Sequence, residues 1–124
     1  MSASDVGKAL VAAALVGETI APYNAANAHI GVGSDATAVL EAQSDLLDSG
    51  AVRLPMESGY PQRVGAVMTF RALAGAGVAN FAWQEFGIFN AAEDGVMLQR
   101  IVRDFGTKVA GQIWALQIQV EVQG

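Results

Sequence analysis

Glu85 is the acid in this sequence best placed to do chemistry. It stands in the middle of the aromatic run FAWQEFGIF, Phe81 to Phe89, where a carboxylate would be shielded from water. Strand alternation would put Phe81, Trp83 and Phe89 on its own face. A carboxyl group so placed either has a raised pKa and can act as a general acid, or pairs with a cation on a neighbouring strand, for which Arg71 and Arg100 are the candidates. Catalysis by two carboxylates needs a second acid held opposite the first, and the pattern positions none. His29 is the single histidine; it opens a strand beside Ile30, and no serine stands in a Gly-x-Ser-x-Gly setting, so a nucleophile relay has no visible members. Asp35, Glu41, Asp45 and Asp48 supply oxygen atoms, but their spacing is not that of a calcium loop, and they read as a solvated acidic loop. Gly31-Val-Gly33 lacks the third glycine and the long helix of a dinucleotide fingerprint, and reads as a strand end. The residues therefore point to no catalytic, cofactor or metal site and to a structural role for Glu85.

The elements that must position these residues belong to one domain. The 124 residues suffice for a single hydrophobic core. With 52% hydrophobic and only 15% charged residues, the chain is apolar for a free-standing monomer, so part of its surface is expected to meet a partner. A net charge of -5, with seven Lys and Arg scattered from Lys8 to Lys108, excludes the basic stripe that nucleic-acid binding needs. The absence of cysteine removes disulfides, zinc knuckles and thiol catalysis. The apolar run after Lys8 is preceded by Asp5 and is far too short to span a membrane, so it is expected to be a short helix of an intracellular product, with no membrane partner.

That helix is expected over residues 4 to 16, with Ser4 as N-cap and Gly17 as stop, in an N-terminal segment of residues 1–26. It packs either on its own domain or on a neighbour. Residues 27–124 are expected to form a β-sandwich or open barrel of five to seven antiparallel strands. The strand candidates are Ala28 to Val32, Ala51 to Glu57, Val67 to Leu73, Phe81 to Phe89, Val96 to Arg103 and the run from Trp114 to Val122. Pro55 belongs at an edge or bulge, and Asn90 to Gly95 carries hairpin-turn chemistry. One helical turn is expected near Thr37 to Gln43. Alternation in the last strand is the clearest in the chain, with Trp114, Leu116, Ile118, Val120 and Val122 on one side, which argues against an edge position. Aromatics among small residues also fit a sugar-binding module with Trp83, Trp114 and Tyr60 as platforms.

From His29 to Val122 the sequence resembles small structural proteins of tailed bacteriophages, of the tail-collar and tail-fibre N-terminal domain type. The shared features are Ile30-Gly31-Val32-Gly33 before Asp35-Ala36-Thr37-Ala38, then Ala42-Gln43-Ser44-Asp45-Leu46 and the Gly59-Tyr60-Pro61 corner. They continue with Ala79 to Asn90 (ANFAWQEFGIFN), Met97-Leu98, Gly106-Thr107-Lys108 and the terminal alternating strand. The resemblance implies a non-enzymatic virion component, made in the host bacterial cytoplasm and assembled as a homo-oligomer (a trimer is one option) with other virion proteins of the tail or with the major capsid protein. The sequence ends at Gly124 directly after the domain, which favours a compact subunit at the tail or a capsid decoration protein over a receptor-binding fibre. The structural or interface candidates are Trp83, Glu85, Gly87, Phe89, Arg100 and Trp114.

Overall fold

The structure, a computed structural model, describes residues 9, 12–39 and 43–122. Among the described residues it is mainly β, with seven strands: β1 (His29–Gly33), β2 (Val52–Pro55), β3 (Gln62–Val64), β4 (Val67–Ala74), β5 (Glu85–Phe89), β6 (Met97–Val102) and β7 (Trp114–Glu121). They form two antiparallel sheets, one of four strands in the order β2-β1-β5-β6 and one of three in the order β3-β4-β7. The sheets stack as a sandwich with β4 lying over β1 and β2. Most of the expected N-terminal helix lies outside the described residues; residues 9 and 12–15 are helical. Among the described residues no helix is long and apolar enough to cross a membrane.

Alternation selects the inner faces. Ile30 and Val32 from β1, Leu54 from β2 and Phe86 and Ile88 from β5 meet Phe70, Ala72 and Ala74 from β4 and Leu116, Ile118 and Val120 from β7. Trp83 closes one end of this core, edge-on to Phe86 at 6.2 Å and to Trp114 at 5.0 Å between ring centroids. Its indole nitrogen donates to the Ala79 carbonyl at 2.9 Å, so burial leaves no unpaired donor there. Lys108 is fully buried as well, its ammonium donating to the Gly75 carbonyl and the Asn80 side-chain oxygen, both at 2.7 Å, which ties down the loop after β4.

Four sequence expectations need correction. The strand from Trp114 is an edge strand; its outer neighbour is solvent, yet its apolar side still faces the core, so burial and ladder position are set independently. The ladder of β5 begins only at Glu85. Residues 81–84 instead bond irregularly to the chain after β6, with Trp83 N–H donating to Gly106 and Phe105 N–H to Trp83. Strand β3 was not expected, because all three of its residues are exposed and leave no apolar alternation to read. The helical turn near residues 37–43 is absent from its described part. Pro55 does sit on an outer strand, β2. The Asn90–Gly95 turn is closed by Val96 N–H donating to the Asn90 side-chain oxygen at 2.7 Å, with Asp94 and Gly95 at positive φ.

The β5–β6 pair carries a register shift between Gly87 and Phe89. A Cβ on Gly87 would lie 3.0 Å from the Met97 sulfur and 3.2 Å from Leu46 Cδ2 and Phe89 Cε2. A Cβ on Gly17 meets open space, and only its φ of 85° opposes a side chain. Gly87→Val is therefore expected to cost about 3 kcal/mol or more by overpacking. Gly17→Ala is expected to cost about 1 kcal/mol. Thermal melts of both variants check the order.

Candidate functional site

The outer face of the four-stranded sheet is not open to water. Side chains of β5 that point away from the sandwich core, Glu85 and Phe89, are as buried as those that point into it, because the described parts of the connection between β1 and β2, residues 34–39 and 43–50, lie over them. Leu46 from that loop packs on Phe89 and Met97 to form a second, small apolar cluster. The glycines beneath make room for it. A Cβ on Gly31 would come within 2.7 Å of the Phe89 ring and 3.0 Å of Leu46 Cδ1, and one on Gly33 within 2.8 Å of the Glu85 side chain. The Gly31-Val-Gly33 pattern is the end of β1, as expected, and it also gives clearance for a covering layer.

Glu85 stands opposite Gly33 on β1, and Arg100 on β6 stands opposite Gly87, so the two side chains meet diagonally across the β5–β6 pair. Arg100 Nε donates to Glu85 Oε1 at 3.2 Å. The same oxygen accepts the Leu47 N–H at 2.7 Å, and Oε2 accepts the N–H groups of Asp48 at 2.9 Å and Asp35 at 3.0 Å. Four donors fill the lone-pair positions of this carboxylate. Arg100 uses its remaining donors on the same loop: Nη1 on the Thr37 carbonyl at 2.7 Å and the Gln43 side-chain oxygen at 3.3 Å, and Nη2 on the Asp35 carbonyl at 3.1 Å. The pair is buried on both sides, with 1% and 0% of the side chains exposed. Such an arrangement holds a loop; it leaves no lone pair facing a cleft for a substrate proton.

Around this clasp the acids of the loop serve the backbone. Asp48 accepts from the Gly50 N–H and from both the N–H and the hydroxyl of Ser34, and these bonds hold its carboxyl below the usual carboxylate range. Asp35 is likewise lowered, first by its hydrogen bonds with Thr37 and then by the Arg100 charge. Arg53 roofs the small cluster with its guanidinium 3.6 Å over the Phe89 ring, and donates to the carbonyls of Ala91 and Asp94.

Glu85, Gly87, Phe89 and Arg100 are therefore brought together on the outer face, while Trp83 and Trp114 belong to the main core. Of the aromatics expected beside Glu85, only Phe89 shares its face; the late start of the β5 ladder sends Trp83 and Phe81 inward. Arg100 is the arginine that pairs with Glu85, and Arg71 pairs with Glu57. Leu46, Asp48 and Ser34 were missed as partners of the site; the glycines at alternate positions of β1 are the one sequence signal that a layer covers that face. His29 is half-buried and its Nδ1 donates to the Asn27 carbonyl at 2.8 Å. Among the described residues no three His, Cys, Asp or Glu side chains gather as a metal site. Trp83, 1% exposed, offers no open ring face to a sugar.

No protein-family model matches the chain, and neither a curated protein nor a solved structure matches it.

Breaking the clasp takes from Arg100 its one fully buried carboxylate and leaves it only the partly exposed Asp35 at 3.7 Å, so Glu85→Gln is expected to lower stability by about 3 kcal/mol in urea titrations. It should also lower hydrogen-exchange protection of the Asp35, Leu47 and Asp48 amides. For Asp48, a folded pKa below its ordinary value of 3.8 gives stability that is fully present above that value and is lost as the pH falls through the folded value. Acid titration of Asp48→Asn followed by fluorescence is expected to show a shallower loss below about pH 4 than the parent.

Proposed function

We propose that this chain is a non-enzymatic structural subunit of a tailed-bacteriophage virion, oligomeric in its working state, at the tail or as a coat on the capsid. The sequence resemblance suggests the class. The observation that carries the reading is what the resembling residues do in the fold. In Trp83-x-Glu85-x-Gly87-Ile88-Phe89-Asn90, Trp83 caps the core, Glu85 anchors the loop and Gly87 gives clearance. Ile88 fills the core, Phe89 seats Leu46, and Asn90 closes the turn. Every specified residue of the motif serves architecture, as expected of a part selected for shape and rigidity rather than for turnover.

Exposed apolar residues agree with a subunit that meets neighbours. Leu15, Val16, Ile113, Phe105 and Val64 all show much of their surface to solvent in the single chain. Placing the subunit at the tail favours contacts to a tube or baseplate, and placing it on the capsid favours contacts to the major capsid protein. The glycan-binding alternative loses its central platform with Trp83 enclosed.

The test is the particle. Virions purified from the phage that encodes this chain are expected to contain it in a fixed copy number set by virion symmetry, and gold-labelled antibody is expected to mark either the tail or the shell. A chain found only in the host cell and never in washed particles would contradict the proposal.

A further inference from the structure

Among the described residues, two separate surfaces with exposed apolar side chains sit at opposite ends of the sandwich. The first is the N-terminal arm. It is rooted where Asn90 Nδ2 donates to the Ala21 carbonyl and the Tyr23 hydroxyl donates to the Val96 carbonyl, at the β5–β6 turn. Beyond that root the described residues are mostly exposed: residues 12–15 are helical, and Leu15 and Val16 are 81% and 78% exposed. The second is a groove at the far end of β5 and β6, between those strands and the free edge of β7. It has a volume of about 500 Å³ beside Trp83, Ile113 and Trp114, and runs on through Phe105, Leu116 and Gln117 into a further space of about 220 Å³ beside Arg103. Ile113 and Phe105, 68% and 47% exposed, form its lip.

Charge selects the occupant. Arg103 lies over Phe105 at 5.5 Å and, among the described residues, has no carboxylate within ion-pair distance. Glu18 follows the exposed Leu15 and Val16 on the arm and is likewise unpaired among them. Copies that carry a net charge of -5 repel one another unless an acidic element of one meets a basic element of the next. The arm is an apolar segment with an acid at its base, and the groove is an apolar cleft with an arginine on its wall. The root of the arm is separated from the groove by the length of β5, about 17 Å at the rise of a strand.

We propose that the arm of one copy lies in the groove of a second copy, with Leu15 and Val16 against Phe105 and Ile113 and with Glu18 beside Arg103. The inference rests on the oligomeric-subunit reading above and names the surfaces that join the copies. Because arm and groove are different patches, the contact is head-to-tail, which closes into a ring where the rotation permits.

The experiment is a complementation read by analytical ultracentrifugation of the full chain. The parent is expected to associate in a concentration series. Leu15→Asp with Val16→Asp, which spoils the arm, and Ile113→Asp, which spoils the groove, are each expected to sediment as monomers. Their circular dichroism should be unchanged, since all three positions are exposed. Mixed in equal amounts, the two variants are expected to form a heterodimer and stop there, since one intact arm and one intact groove remain. As an independent check, Glu18→Arg and Arg103→Glu are each expected to weaken association at least tenfold, and the charge-swapped double variant to restore it. A parent that is monomeric at every concentration, an oligomer indifferent to these changes, or a mixture that stays monomeric would each overturn the proposal. So would a monomeric parent whose arm folds back on its own groove. Association of the parent is read without particles, so this inference can fail while the chain is found in virions, and can hold while it is not.

Discussion

The structure depends on one buried ion pair. Glu85 and Arg100 lie on the outer face of the four-stranded sheet, where side chains would ordinarily meet water, and together they bond the loop of residues 34–50 at Asp35, Thr37, Gln43, Leu47 and Asp48. A buried carboxylate without these partners would be strongly unfavourable, and the loop without the carboxylate would leave its N–H groups unpaired against the sheet. Each half of the arrangement satisfies the other. The interaction is best understood as specifying one position for the loop, since buried ion pairs in general add little net stability over apolar replacements.

From this constraint the rest of the outer face follows. Once the loop is fixed, Leu46 reaches Phe89 and Met97, and the strands beneath must be bare at Gly31, Gly33 and Gly87. The four-stranded sheet is thereby covered on both faces, by the second sheet inside and by the loop outside. The three-stranded sheet is covered on one face only, and the seam between β6 and β7 stays open. A rigid closed side and an apolar open side suit a building block whose neighbours complete it, in keeping with the proposed virion role.

The inner layer was legible in the sequence because period-2 alternation is a local signal. Met68, Phe70 and Ala72 in β4 and Leu116, Ile118 and Val120 in β7 share one face by their spacing alone. The edge position of β7 could not, since strand order is set by pairing with β4 and not by the strand's own residues. The outer layer was hardly legible. Glu85 stood out as a buried acid and Arg100 was one of two candidate partners, but the other donors are backbone N–H groups 37 to 50 positions away, which no side-chain pattern announces. Trp83 was assigned to the wrong face because alternation was extended back from Glu85 into residues that bond irregularly to the chain after β6.

The central claim is that the Glu85–Arg100 contact itself holds the loop in place, and a double-mutant cycle tests it most directly. Stabilities of the parent, Glu85→Gln, Arg100→Met and the double variant give the coupling between the two side chains. A clasp predicts that the double variant is more stable than the sum of the single losses by roughly 2 kcal/mol or more, because the second change relieves the stranded charge left by the first. Additive losses would contradict it, and would mean that each side chain serves the loop separately.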